Sequence, residues 1–286
     1  MRIHLCGVRG STPAPGAEFA RYGGHTSSLA LALDGDDDGE PPAPTLLLDA
    51  GTGIRRVTDL LGGGPFVGTV LLTHLHWDHV QGLPFFGARD RPDARVTLLL
   101  PEQGDGRQAE EVLAQGMSPP QFPIRPRELR GDWTFAMLSP GQRAVGDGFS
   151  IVVRDVPHKG GRTFGYRISD GRSTVAYIPD HCPTALGPGP DGWGEYHPAA
   201  LELASGVDFL VHDAHLLPEE LAAEASFGHA AADYAVALGR RAGAGTVVLF
   251  HHRPDRSDGA LDALARRFER AGVPVAVAAE GMVLRR

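Results

Sequence analysis

Strand-like runs cluster within each half of the chain, and helical spacing appears towards the end of each half. That pattern predicts an α/β protein, an αββα sandwich of two mixed β-sheets flanked by helices. Many of the apolar runs are short and continuous, as in strands buried on both faces. No stretch of disordered composition divides the 286 residues, so 1–286 reads as a single domain.

The elements follow in order. "MRIHLCGVRGSTPAPG" reads as a strand ending in a Gly/Ser/Pro turn. The apolar runs 27–33 and 44–53 flank "DGDDDGEPPA", an acidic Pro/Gly connector expected to be a solvated hairpin tip. Residues 68–74 and 94–102 are further strands, 106–117 has helical spacing, and 118–133 is a Pro-rich loop whose Arg125, Arg127 and Arg130 either wall a cleft or lie on a solvated surface. The second half predicts strands at 133–138, 149–156, 163–169 and 173–180, then a loop over 181–198. Strands at 207–215 and 245–252, helices at 229–242 and 257–271, and a last strand "PVAVAA" complete it.

Composition narrows the function classes. Hydrophobic residues make up 42% and charged residues 22%, as in an ordinary soluble globular protein. Thirty-five acidic against 27 basic side chains give a formal charge of −8, which offers no general attraction to polyphosphate. Cys6 and Cys182 are too few for a disulfide framework. With no signal-peptide pattern and no membrane-length apolar run, the expectation is a cytoplasmic protein without membrane association.

The chemistry is concentrated in "VLLTHLHWDHVQGLPFF" (70–86), where His74, His76, Asp78 and His79 fall within six residues. Crowding them costs hydration that folding alone does not return. A metal ion is the first candidate to offset that cost, and a set of satisfied histidines on a polar loop is the alternative. His74 and His76, two apart at a strand end, can point to one side, while Asp78 and His79 fall in the turn. Imidazole and carboxylate suit zinc, with manganese or iron as alternatives. Later apolar runs also end in ligand-type residues: His158 in "VPHKGG", Asp180 in "AYIPDH" and His251 in "VLFHH".

Together these motifs resemble the metallo-β-lactamase superfamily, in its ribonuclease Z and phosphodiesterase branch. "THLHWDH", "LLLDAGTG", "HKGGRTFGYRI", "YIPD" and "GHAAADYAVALGRRAGAGTVVLFHH" follow the family's order across about residues 1–252. The resemblance implies two divalent ions: His74, His76 and His158 on one, Asp78, His79 and His251 on the other, and Asp180 bridging. Were the strand register slipped by one, His252 would replace His251. Asp78 and His229 are implied to be catalytic, with His229 beside the scissile phosphate, although "GHA" replaces the branch's "GHS". Asp49 is expected to form a turn or orient a ligating imidazole. His212 and Asp213 are expected behind the ligands, orienting His229. His25, His181, His197 and His215 read as ordinary loop residues, with lining the cleft as the alternative, and Cys182 as a small packed thiol.

Two ions about 3.5–4 Å apart share a water and lower its pKa from 15.7 towards about 7, so a bridging hydroxide would attack phosphorus. The expected substrate is a small, cyclic-nucleotide-like phosphodiester. The branch's tRNA endonucleases carry a long arm between the third histidine and the bridging aspartate. Only 21 residues separate His158 from Asp180 here. A tRNA 3′ endonuclease is therefore the alternative, with nucleic acid not favoured, followed by a lactone or thioester hydrolase. A di-iron oxidoreductase would carry glutamate at position 76, and a non-catalytic sensor would lack ligands. A homodimer is left open.

Overall fold

The computed structural model describes residues 1–35 and 42–286. The expected hairpin tip therefore lies largely outside the described residues. Among them, the first sheet contains β1 (Arg2–Gly7), β2 (Ser28–Ala32), β3 (Leu46–Leu48), β4 (Val67–Leu71), β5 (Arg95–Pro101) and β6 (Asp132–Leu138). The second contains β7 (Arg143–Gly146), β8 (Phe149–Asp155), β9 (Phe164–Ser169), β10 (Thr174–Ile178), β11 (Phe209–Asp213), β12 (Thr246–Phe250) and β13 (Val275–Val277). A last strand, β14 (Val283–Leu284), returns to the first sheet beside β1. The orders are β14-β1-β2-β3-β4-β5-β6 and β13-β12-β11-β10-β9-β8-β7. Each sheet is antiparallel on one side and parallel on the other.

Alternation along the strands builds the layers. Ile3, Leu5, Leu46 and Leu48 face the second sheet and pack with Phe149, Ile151, Tyr166 and Tyr177. Leu47, between two inward leucines, faces outward with Val70 and Leu98 against Val57, Val112 and Leu113. Those last three belong to α1 (Val57–Leu60) and α3 (Ala109–Ala114), which flank α2 (Trp77–Val80) in sequence. The far face of the second sheet is covered by α4 (Pro198–Ala204), α6 (Ala232–Ala242) and α7 (Asp258–Arg267), while α5 (Leu221–Glu224) lies in the loop before α6.

Several boundaries differ from expectation for local reasons. The helix expected over 106–117 is confined to Ala109–Ala114. Gly106 is left-handed (φ 78°), and Gln108 caps the helix with Glu111. The helix expected from 229 begins at Ala232, because His229 and Ala230 are held on the Asp213 carboxylate. It ends at Gly243 (φ 68°), a left-handed glycine stop. α4 arises just past the expected loop, with proline at its first position and Ala200, Leu203 and Ala204 buried.

Candidate metal centre

The cluster residues follow the C-terminal ends of strands from both sheets, directly or through the turn into α2. The chain leaves β4 at Leu71 and places His74 and His76 before α2, whose first turn carries Asp78 and His79. His158 follows β8, Asp180 follows β10, and His251 directly follows β12. His251 has a left-handed backbone (φ 58°), a conformation non-glycine residues rarely adopt and one that concentrates at functional sites. Gly10 makes room for its ring: a Cβ there would meet His251 Cε1 and Nδ1 at 2.3 Å.

Two donor groups converge. Ligand-type atoms of His74, His76 and His158 lie within 4.8 Å of one another, as do those of Asp78, His79 and His251. Asp180 stands between them. Its Oδ1 is 3.5 Å from His158 Nε2, and its Oδ2 is 2.9 Å from His79 Nε2 and 3.3 Å from His251 Nε2. Asp78 Oδ2 is 3.0 Å from His251 Nε2 and accepts the Ser11 backbone N–H at 2.7 Å.

Residues behind the rings fix which nitrogens face inward. His79 Nδ1 donates to Asp49 Oδ2 at 2.8 Å, and His158 Nδ1 donates to Gly228 O at 2.7 Å. Thr73 Oγ1 gives its proton to Asp49 and so accepts from His74 Nδ1 at 3.1 Å. His74 Nε2 is buried without a hydrogen-bond partner. Free imidazole lone pairs and carboxylate oxygens thus point at one another with few protons to share, and this donor set fits divalent cations. Asp49, as expected, forms the turn (φ 57°) and orients a ring, and it also accepts from Tyr177 Oη at 2.9 Å.

Electrostatics agree with that donor set at His74, His76, His158, Asp78 and Asp180, and depart from it at His79, where the carboxylates favour a proton. Burial first, then neighbouring imidazoles, holds His74 well below the usual histidine value, and burial lowers His76 and His158 as well. Burial would raise Asp180 and Asp78, yet the surrounding imidazoles, His251 and His79 foremost, keep both carboxylates well below their usual range. Burial would likewise lower His79, but Asp78, Asp180 and Asp49 draw positive charge to it and lift it well above its ordinary value.

His229 borders the cluster. Its Nδ1 is 3.1 Å from Asp213 Oδ2 and 3.5 Å from Asp180 Oδ1. Burial opposes its charge, but Asp213, Asp180 and Asp78 outweigh burial and push it up to about 9. Asp213 also accepts the backbone N–H groups of His181, His215 and Ala230, so its carboxylate is fully engaged as a positioning group. A cavity of about 400 Å³ opens here, lined by Ser11, Leu75, His76, Trp77, Asp78, Asp180 and His229.

Two expectations are corrected, at His212 and at His215. His212 does not orient His229: alternation on β11 turns it to the opposite face, where it meets His181 Nδ1 at 3.0 Å and the Asp213 carbonyl at 2.8 Å. His215 is not an ordinary loop residue. Its ring stacks on His229, with centroids 4.2 Å apart and planes at 22°. The second histidine of "HDAH" was its only signal in the sequence. Arg125, Arg127 and Arg130 are exposed and line none of the cavities at the centre. The arginines beside His74 and His76 are Arg107 and Arg162, paired with Asp105 and Glu102. His252 points away from the cluster, with Nε2 on Ala278 O at 2.9 Å, leaving His251 as the inward ring.

An αββα sandwich with buried histidines and carboxylates converging at its strand ends defines a metal-dependent hydrolase. The model of the β-lactamase superfamily domain matches residues 45–252, and the chain belongs to that superfamily. It is similar to a ribonuclease Z of Haloarcula marismortui, 26% identical over 88% of this chain and 86% of that one. Among solved structures, the metallo-β-lactamase fold protein YhfI of Bacillus subtilis aligns with TM-score 0.69 at 18% identity, covering 99% of each chain. The short form of human tRNase Z aligns with TM-score 0.65 at 17% identity, covering 100% of this chain and 99% of that one. No helix among the described residues is long and apolar enough to cross a membrane.

Proposed function

We propose that this chain is a dinuclear phosphodiesterase acting on a small phosphodiester, with zinc the first candidate metal and manganese or iron the alternatives. His74, His76 and His158 would hold one ion and Asp78, His79 and His251 the other. The observation that carries the reading is Asp180, whose two oxygens reach the two donor groups separately. Bound cations would activate water and neutralise the non-bridging phosphate oxygens. Asp78 and His229 line the cavity where the phosphate would sit. Hydrolysis joins the water oxygen to phosphorus and breaks the bond to one ester oxygen. His229, braced through Nδ1 by Asp213, is placed to give that oxygen a proton as it leaves.

The small substrate is favoured by the β9–β10 hairpin, whose strands are joined across Asp170–Ser173 with no inserted arm. A second reading, cleavage of tRNA, is favoured by the ribonuclease Z relative that spans most of the chain. The free thiols of Cys6 and Cys182 fit a cytoplasmic location.

The test is a panel of substrates with metal content measured alongside: an aryl phosphodiester, cyclic nucleotides, pre-tRNA, a lactone and a thioester. Turnover of the small diesters with little trimming of pre-tRNA is expected. Efficient pre-tRNA cleavage with inert small diesters would make the endonuclease the answer, and turnover confined to the lactone or thioester would remove phosphodiester chemistry altogether.

A further inference from the structure

Beside the metal centre, a groove of about 610 Å³ runs between α2 and the segment after α3. Leu75 and Trp77 line both the groove and the central cavity, so the two spaces adjoin there. Trp77 sits between His76 and Asp78 yet is 75% exposed, and Phe85 is 61% exposed. Among the described residues only one other Phe or Trp ring, Phe227, is similarly exposed, so two of the three stand on this one groove. Phe122 meets Phe85 edge to face, with centroids 6.0 Å apart at 89°.

The lining decides what fits. No charged side chain contributes to it, and the polar groups are the amides of Gln81, Gln115 and Gln121. Aromatic walls offer a stacking surface, and neutral amides can donate to and accept from a ring edge. Gln81 Nε2 already donates to Thr26 Oγ1 at 3.4 Å, so Gln115 and Gln121, both exposed, are the amides free for a ring edge, and an anionic group would find no cation. The size lies within the usual range for ligand sites.

We propose that this groove seats an uncharged planar heteroaromatic ring borne by the substrate, a nucleobase being the chemistry that matches both walls and edges. The ring would stack on Trp77 and Phe85 while its phosphodiester reaches the centre past Leu75 and Trp77. The proposal rests on the phosphodiesterase reading for the reaction, and on the groove alone for the ring.

Calorimetry with adenosine, which has no phosphate, tests the ring site apart from the reaction. Adenosine is expected to bind the metal-loaded protein at concentrations where ribose does not, and Phe85→Ala and Trp77→Ala should each weaken it about tenfold. Metal content is measured for both, since Trp77 adjoins two cluster residues and Phe85 does not. In turnover, the preference for a nucleoside cyclic phosphate over a cyclic sugar phosphate should fall by a similar factor in Phe85→Ala. Adenosine binding no better than ribose, or equal binding by both variants, would overturn the proposal. So would a dimer in sedimentation that Phe85→Ala dissociates, which would make the groove an interface between copies. Adenosine binding without hydrolysis of any phosphodiester supports the ring site and refutes the reaction, whereas hydrolysis without adenosine binding does the reverse.

Discussion

The residue behind each imidazole decides what that imidazole can do. Asp49, Gly228 and Thr73 hold Nδ1 of His79, His158 and His74, leaving Nε2 free to face the centre. Asp180 touches both donor groups, so Asp180→Ala should reduce the content of both metals, while His158→Ala should mainly reduce one. Elemental analysis after zinc or manganese reconstitution checks this, and metal at trace levels in the unmodified protein would sink the dinuclear assignment. His229 borders the centre through Asp213, so His229→Ala should retain the metals and lose about 10²–10⁴-fold in turnover. Loss of metal instead would place His229 among the ligands. "THLHWDH" made four of the seven cluster residues legible because four ligand-type residues in six positions have no folding rationale. His215 was not legible, since only the folded stacking on His229 separates it from a surface histidine.

At the scale of elements, the loop after β1 and the end of β12 constrain each other. Gly10 N–H donates to His252 O, and His252 N–H donates to Val8 O, each at 2.9 Å. Gly10→Ala should displace the His251 ring, lower the metal content by about one equivalent and destabilise the fold by about 1–3 kcal/mol, the scale of overpacking. Denaturation and elemental analysis together check it. On β11, His212 is fully buried, and burial holds it below the ordinary value of 6.5 against the opposing pull of Asp213. The unfolded ring takes up a proton below about 6.5 and the folded ring resists one. Its contribution is therefore complete above that pH and lost as the pH falls. Metal-free His212→Asn should lose less stability than metal-free wild type between pH 8 and 5, and equal losses in urea titrations would refute this. Continuous apolar runs made most strands readable, but β7, "RAVG" with Val145 86% exposed, has no such run. Helices as short as α1, α2 and α5, four residues each, carry too little periodicity to be read.

At the scale of the whole molecule, the two halves of the chain form the two sheets, as the clustering of strands implied. The exception is β14, which crosses back to pair with β1 through two residues and leaves too short a signal to read. Its neighbour β13 stays with the second sheet, so the chain's last two strands divide between the layers. The centre also draws on both layers: His74, His76, Asp78 and His79 come from the first sheet's side, and His158, Asp180 and His251 from the second. Cations held there would therefore tie one sheet to the other. By mass action, an ion at about 100 times its dissociation constant adds about 2.7 kcal/mol of stability. For a chain of this size that raises the melting temperature by several degrees. Chelation should lower the melting temperature and the correct metal should restore it, and an unchanged melting curve would refute the coupling. The melting temperature then becomes a gauge of metal supply, and ranking zinc, manganese and iron by the shift each produces would identify the preferred ion without a substrate in hand.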